Sequence, residues 1–191
     1  LLVMGMMNNA FQNPSSSIII AKYNQTITDL LTIPLKPFGI QYAYVAAGVV
    51  RGILIGLVTL FSSMIFVDVT FANIGLILLA TILINIVFGL LGIFAGIWAN
   101  EFDKIASVQN FVLAPLIYLG GVFYSLSTLP ATFQTISSLN PLAYMIDFLR
   151  AGFIGQAYFP LWQSGLVIVI SILVLHFTVQ WALKTGWKIQ T

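Results

Sequence analysis

The sequence has no cysteine, a single histidine and very few charged residues. Its 191 residues include seven Lys or Arg and five Asp or Glu, so only 6% are charged. The lack of cysteine excludes disulfide bonds and thiol catalysis. Zinc binding needs three or four converging N, S or O ligands, which one histidine without cysteine does not supply. The shortage of charged residues is the most informative of these absences, because a soluble domain carries about 25% charged residues.

Two further absences narrow the possible functions. No G-x-x-x-x-G-K-[ST] motif occurs, so the chain does not hydrolyse ATP through a P-loop of its own. The seven basic residues are scattered rather than clustered, which gives no indication of nucleic acid binding. His176 lies among Leu and Phe, far along the chain from any acid, and this favours a helix-packing role over a catalytic one. We therefore predict no catalytic residue, no metal site and no bound cofactor.

Long apolar stretches dominate what is present. Hydrophobic residues make up 60% of the chain, and the mean hydropathy is +1.04. Only helices or closed barrels satisfy their backbone polar groups in lipid. Barrel strands alternate polar and apolar residues over about 10 residues, whereas the stretches here are continuous and longer. The composition predicts an all-α membrane protein, built as a polytopic helical bundle in one domain.

Five regions fit the roughly 20 residues that a membrane-spanning helix requires. They lie at about 1–20, 42–67, 71–99, 105–124 and 161–183. The first is interrupted by polar residues, which indicates a span packed against protein. Because the chain opens inside an apolar stretch and without Met, we expect a fragment that lacks its true N-terminus. The interrupting residues are Asn8, Asn9, Gln12, Asn13 and Pro14.

The segment 21–39, AKYNQTITDLLTIPLKPFG, separates the first two spans. It predicts one or two amphipathic turns that end at Pro34, Pro37 and Gly39. Its apolar residues suit a helix-in-groove contact with a soluble partner. A helix lying on the lipid surface fits equally well, and the residues alone leave both open. The apolar residues are Leu30, Leu31 and Ile33.

A second irregular segment, 126–155, precedes the last span. It is too polar and too interrupted to cross the bilayer. Its Leu, Phe and Ile recur at helical spacing, so we expect it to lie at the interface or dip into it.

The positive charges predict the orientation. If 21–39 is cytoplasmic, five lysines lie inside, Arg51 lies near the inner face, and only Arg150 lies outside. The C-terminus and the loop 100–104 are then cytoplasmic as well. Arg51 is the one charge well inside an apolar run. It either faces protein or water, or snorkels to the headgroups, and the sequence leaves both open.

Small residues recur on two of the predicted spans. Small residues on one face let membrane helices approach closely. Static packing of these faces is favoured over faces that slide past each other during a conformational cycle. The first stripe also has G-x-x-x-G spacing. The residues are Gly48, Gly52 and Gly56 on one span, and Asn85, Gly89, Gly92 and Gly96 on the next.

Two blocks resemble a known family. FVLAPLIYLGGVFYSLSTLP at 111–130, followed by LNPLAYMIDFLRAGFIG at 139–155, closely resembles the C-terminal signature of ABC-2 type transporter permeases. AKYNQTITDLLTIPLKP, followed by VVRGILIG, resembles the region between that family's second and third spans. The likeness covers essentially the whole chain in order.

The resemblance implies six spans, of which five are present here, with 126–155 as an outer re-entrant helical hairpin. It implies a second permease copy, a homodimer, in the bacterial cytoplasmic (inner) membrane. A separate P-loop ATPase would hold ATP and Mg²⁺ on the cytoplasmic side. The resemblance favours docking for 21–39, with ATPase-coupling residues Thr26, Ile27, Asp29, Leu30, Leu31, Ile33 and Pro34. The loop with Glu101, Asp103 and Lys104 would lie near the same partner, and Asn8, Asn9, Gln12 and Asn13 would line the pathway.

The implied function is export driven by ATP hydrolysis in a separate subunit. The main alternative is an ATP-independent secondary transporter or channel. Such proteins usually place an ionisable residue at mid-membrane, and no acid lies there in the predicted spans. A lipid-modifying enzyme lacks a metal or nucleophile constellation, and a purely structural subunit would bind an ATPase without transport.

Overall fold

The computed structural model describes residues 2–26 and 37–188. Every regular element in these ranges is a helix and none is a strand, so the all-α prediction is confirmed there. The elements are α1 (Leu2–Tyr23), α2 (Pro37–Met64), α3 (Ile74–Trp98), α4 (Phe102–Ser107), a π-helix (Val108–Leu113), α5 (Ala114–Leu119), a 3₁₀ turn (Leu126–Thr128), α6 (Ala131–Ser138), α7 (Pro141–Ile154) and α8 (Leu161–Thr185).

Three of the described helices are long and apolar enough to cross a membrane. They are Phe38–Met64, Ile74–Trp98 and Leu161–Thr185, and they match the predicted spans at 42–67, 71–99 and 161–183. Residues 2–20 and 105–119 of the other two predicted spans are helical as well, and the crossing of the membrane by these spans stays a prediction. So does the re-entrant position of 126–155, where α6 and α7 form a pair of helices.

The second long helix begins earlier in the chain than expected. Gly39 was predicted to end the preceding segment, yet it lies inside α2, which starts at Pro37. That prediction was wrong, because one glycine costs a helix only about 1 kcal/mol, and the apolar residues that follow sustain the helix.

Three helices, α1, α2 and α3, pack so closely that their backbones nearly touch. A Cβ on Gly92 of α3 would lie 2.3 Å from the Phe11 carbonyl oxygen of α1, and one on Gly48 of α2 would lie 3.0 Å from the Ala10 oxygen. Small residues at helix contacts permit this approach. The other glycines of the two stripes face Asn85 (from Gly52), Met6 (from Gly56), Val45 (from Gly89) and Ser15 (from Gly96).

The hairpin of α6 and α7 lies at the end of the bundle where α3 begins. The backbone amides of Ala72 and Asn73 donate to the carbonyls of Phe153 and Gly152, at 3.2 and 2.9 Å. Asn73 also caps α3, its side chain accepting from the Leu76 amide. These contacts fix the C-terminal end of α7 against the first turn of α3.

Candidate functional site

A set of amide side chains joins α1 to the π-helix halfway along α1. Nε2 of Gln109 donates to Oδ1 of Asn8 at 3.2 Å, and Nε2 of Gln12 donates to Oε1 of Gln109 at 3.0 Å. A π-helix closes hydrogen bonds from i to i+5, and such turns are frequent at functional sites. Gln109 was missed in the sequence, although it is one of only two amides within an otherwise apolar run.

On the neighbouring side of α1, Arg51 of α2 approaches Asn13. Its Nη1 donates to Oδ1 of Asn13 at 3.4 Å, and its side chain is exposed. Asn9 instead donates to the Gly5 carbonyl of its own helix, at 3.0 Å. Of the four predicted lining residues, the structure therefore pairs Asn8 and Gln12 with the π-helix and Asn13 with α2, while Asn9 bonds locally.

These side chains share one level, at the middle of the long helices. Arg51 is the central residue of the 27-residue span Phe38–Met64, which places it roughly 20 Å along the axis from either end. Gln12 and Asn13 are the central residues of α1. The position of Arg51 near the inner face stays a prediction, although α2 begins and ends earlier in the chain than the predicted span.

Asn85 of α3 adds a buried polar atom at the same level. Its Nδ2 donates to the Thr81 carbonyl at 2.8 Å, but its Oδ1 has no hydrogen-bond partner in the described residues. A Cβ on Gly52 would lie 1.8 Å from that oxygen. We define the mid-level polar layer as Asn8, Gln12, Asn13, Arg51, Asn85 and Gln109.

At the opposite end of the bundle from the hairpin, Lys22 ties α1 to the end of α3. Its Nζ donates to the carbonyls of Ile97 and Ala99, the latter at 3.1 Å. Burial, and to a smaller extent the charge of Lys188, lowers the pKa of Lys22 to about 8. The Lys188 ammonium lies 5.6 Å from the Trp98 ring centroid, so basic and aromatic residues gather at this end.

The predicted partner-facing residues lie at this same end. Tyr23, in the last turn of α1, stacks on Phe102 with 6.0 Å between ring centroids, and this contact places the loop 100–104 beside the end of α1. Thr26 follows in a turn, its hydroxyl donating to the Ala21 carbonyl at 3.3 Å. The loop's predicted contact residues are exposed: Glu101, Asp103 and Lys104. The remaining predicted coupling residues lie outside the described residues: Ile27, Asp29, Leu30, Leu31, Ile33 and Pro34.

The hairpin end contains two charged residues of α7 that hold neighbouring loops. Both carboxylate oxygens of Asp147 accept from the Tyr158 amide, and one accepts from the Phe159 amide at 2.9 Å. Nη2 of Arg150 donates to the carbonyls of Gly121 and Tyr124. Both charged residues line an open cavity of about 540 Å³. The pair connects α7 to the end of α5 on one side and the start of α8 on the other.

His176 belongs to a third polar contact, between α2 and α8. Its Nδ1 lies 3.1 Å from Nε2 of Gln41, and Gln180 donates to Gln41 at 2.5 Å. The rings of Phe38 and Tyr42 flank the imidazole. No group of three His, Cys, Asp or Glu that could hold a metal ion occurs in the part of the chain that the structure describes.

Comparison with known proteins agrees with this architecture. The family model described as "ABC-2 type transporter" matches residues 1–154. The chain is 39% identical over 183 residues to the inner membrane transport permease YadH of Escherichia coli (strain K12), covering 96% of this chain and 71% of that protein.

Two more distant relatives match about half of the chain. Nodulation protein J of Rhizobium leguminosarum bv. viciae is 27% identical over 53% of this chain and 38% of its own length. The daunorubicin resistance ABC transporter permease protein DrrB1 of Streptomyces coeruleorubidus is 33% identical over 47% of this chain and 32% of its own length. Taken with its long apolar helices, this chain is an integral inner-membrane protein that belongs to the ABC-2 type transporter family.

Proposed function

We propose that the chain is the membrane-spanning permease subunit of an ATP-driven exporter. In this proposal a separate P-loop ATPase docks at the lysine-rich end, and two permease copies form the pathway between them. The observation that carries the proposal is the mid-level polar layer, together with the family. Polar and charged side chains at mid-membrane face protein or a water-filled cavity rather than lipid. In this proposal the exposed Arg51 and Gln12 lie on the side of the bundle that faces the pathway.

The orientation in this proposal follows from charge. Lys22, Lys184 and Lys188 lie at one end of the bundle, and Arg150 lies at the other. Positive residues favour the cytoplasmic side, so the C-terminus and the loop 100–104 are cytoplasmic and the α6–α7 hairpin is outside. The Tyr23–Phe102 stack supports a shared docking surface, because it brings the chain leading into residues 27–34 next to that loop.

The mechanism follows from the connections at the two ends. Closure of the ATPases on ATP would move the segment 27–34 and, through α1, the polar layer. Since Lys22 fastens α1 to the end of α3, the two helices would move together. The hairpin would respond through the α7–α3 backbone hydrogen bonds. This chain contributes the pathway and the mechanical link, and the ATPase contributes the chemistry.

The test is co-purification of the full-length protein from membranes in mild detergent, with partners identified by mass spectrometry. The variant changes Leu30, Leu31 and Ile33 to Asp, and Leu139→Asp is its control, because Leu139 is exposed at the hairpin end. We expect a stoichiometric P-loop ATPase with the wild type and the control, and its loss in the triple variant. A well-folded protein without any ATPase would contradict the proposal and favour an ATP-independent transporter or channel.

A further inference from the structure

The amide oxygen of Asn85 is buried without a hydrogen bond. Nδ2 of the same side chain donates to the Thr81 carbonyl at 2.8 Å, and this bond fixes which end of the amide carries the oxygen. Oδ1 has no hydrogen-bond partner within the part of the chain that the structure describes, and less than 1 Å² of it is accessible. In this conformation there is therefore no room for a water molecule to contact the oxygen.

The oxygen points at a contact between helices that is built from small residues. A Cβ on Gly52 of α2 would lie 1.8 Å from Oδ1 and 3.3 Å from Cβ of Ala10 on α1. One turn earlier on α2, a Cβ on Gly48 would lie 3.7 Å from Cα of Gly89 on α3. We call these four small residues and Asn85 the small-residue contact. The four have no polar side chain, and backbone amides inside a helix bond within that helix, so the contact offers Oδ1 no donor.

Two opposing effects meet at the small-residue contact. Small residues let the helix backbones approach, and the resulting close contacts stabilise the packed state. A buried acceptor without a hydrogen bond destabilises that state, because the oxygen has lost its bond to water. An apolar residue of similar size at position 85 would keep the packing and remove this penalty. The asparagine therefore makes it easier to separate the helices that its neighbours hold together.

We infer that Asn85 is the residue that allows the small-residue contact to open. In the open state α2 lies further from α3, water enters the gap, and a water molecule donates to Oδ1. The structure described here is the closed state. This inference rests on the proposed permease function, because it names the contact within the chain whose opening accompanies the ATP-driven movement.

A thiol placed between α2 and α3 measures how often the contact opens. Val45 of α2 is 7% exposed, and its Cα would lie 3.6 Å from a Cβ on Gly89. The 191 residues contain no cysteine, so Val45→Cys introduces a single thiol, and any cysteine elsewhere in the full-length protein is changed to serine. Its reaction with N-ethylmaleimide in nanodiscs, without ATP, follows the fraction of protein in the open state.

We expect Asn85→Val to slow this reaction about tenfold, which is the effect of removing one buried unpaired acceptor from the closed state. Ser164→Ala is the matched control. It removes the other buried oxygen without a partner in the described residues, and that oxygen lies on α8, outside the small-residue contact, so the rate should not change. An unchanged rate in Asn85→Val, or equal slowing by Ser164→Ala, would overturn the inference.

Two further variants guard against misfolding and altered reagent access. Val50→Cys places the thiol at a position of α2 that is 58% exposed, where Asn85→Val should leave the rate unchanged. Gly52→Ala acts on the contact from the other side, since its Cβ would collide with Oδ1 of Asn85. It should favour the open state and speed the reaction of the Val45→Cys thiol. If Asn85→Val does not fold, the absence of this acceleration would overturn the inference.

Addition of ATP separates this inference from the proposed function. The reaction of the Val45→Cys thiol is repeated with the co-purified ATPase, with and without ATP and Mg²⁺. A rate that changes with ATP and is slowed by Asn85→Val supports both proposals. Slowing by Asn85→Val without any effect of ATP would contradict the ATP-driven role and leave the opening of the contact standing. An effect of ATP with no effect of Asn85→Val would contradict the role of Asn85 and leave the ATP-driven role standing.

Discussion

Replacing Gly92 by alanine tests how tightly α1 and α3 depend on each other. The new Cβ would lie 2.3 Å from the Phe11 carbonyl oxygen and 2.8 Å from Cγ of Pro14. Both obstacles belong to a backbone or a proline ring, which cannot rotate away, so the helices must separate by about 1 Å. Overpacking of this kind costs about 1–3 kcal/mol or more, against a gain of up to about 1 kcal/mol in helix propensity. We expect a net loss of about 2 kcal/mol.

Gly89→Ala on the same helix is the matched control. Its Cβ would lie 3.6 Å from the nearest atom, Cα of Val45, which is an ordinary contact, so this variant should be as stable as the wild type or more stable. Unfolding of the full-length protein in mixed micelles, followed by tryptophan fluorescence, measures both. Equal midpoints for the two variants would refute the reasoning from the α1–α3 approach. The same would hold if Gly92→Ala proved no less stable than the wild type.

Two further perturbations act at the two ends of the bundle. Competitive labelling of amines with acetic anhydride should show Lys22 titrating near pH 8, and Lys188→Gln should raise that pKa towards its ordinary value. Because the pKa of Lys22 is lower in the folded protein than in the unfolded chain, the folded protein releases this proton first as the pH rises. The contribution of Lys22 to stability should therefore rise between pH 8 and 10.5. An unchanged pKa of Lys22 in the Lys188→Gln variant would contradict the role of Lys188. At the other end, Asp147→Asn should weaken charge-assisted hydrogen bonds worth about 1.5–3 kcal/mol and speed hydrogen exchange at the Tyr158 amide about tenfold. Asp68→Asn, at an exposed loop position, should leave that exchange unchanged, and equal exchange rates in the two variants would argue against the Asp147 contact.

The long helices could be predicted because their signal is strong. Runs of more than 20 apolar residues leave a membrane-spanning helix as the only way to satisfy the backbone, and α2, α3 and α8 lie where these runs occur. Their ends were less predictable. A glycine at 39 resembles a helix breaker, and only the packing of the following residues shows that α2 continues through it.

The polar layer could be predicted only in part. The amides of α1 are conspicuous in an apolar stretch, so they could be singled out from the sequence. Their partners were not, because Gln109 and Arg51 lie 97 and 38 residues away from the residues they bond. The start of α2 was misplaced by a few residues, and an error of that size changes the distance of Arg51 from the end of its helix by several ångströms.

The π-helix at Val108–Leu113 also determines how the chain tolerates changes in length. Its wide turn holds more residues than an α-helical turn over the same rise. Loss of one residue within 108–113 could be absorbed by a return to ordinary α-helix, which would leave Leu113 and Ile117 facing the core, where both are now buried. The same deletion in the middle of α3 would rotate every later residue by about 100° and carry Gly92 and Gly96 away from α1. Insertions and deletions in related sequences should therefore occur in this turn and not in α3. Such a change would remove the hydrogen bonds of Gln109 to Asn8 and Gln12.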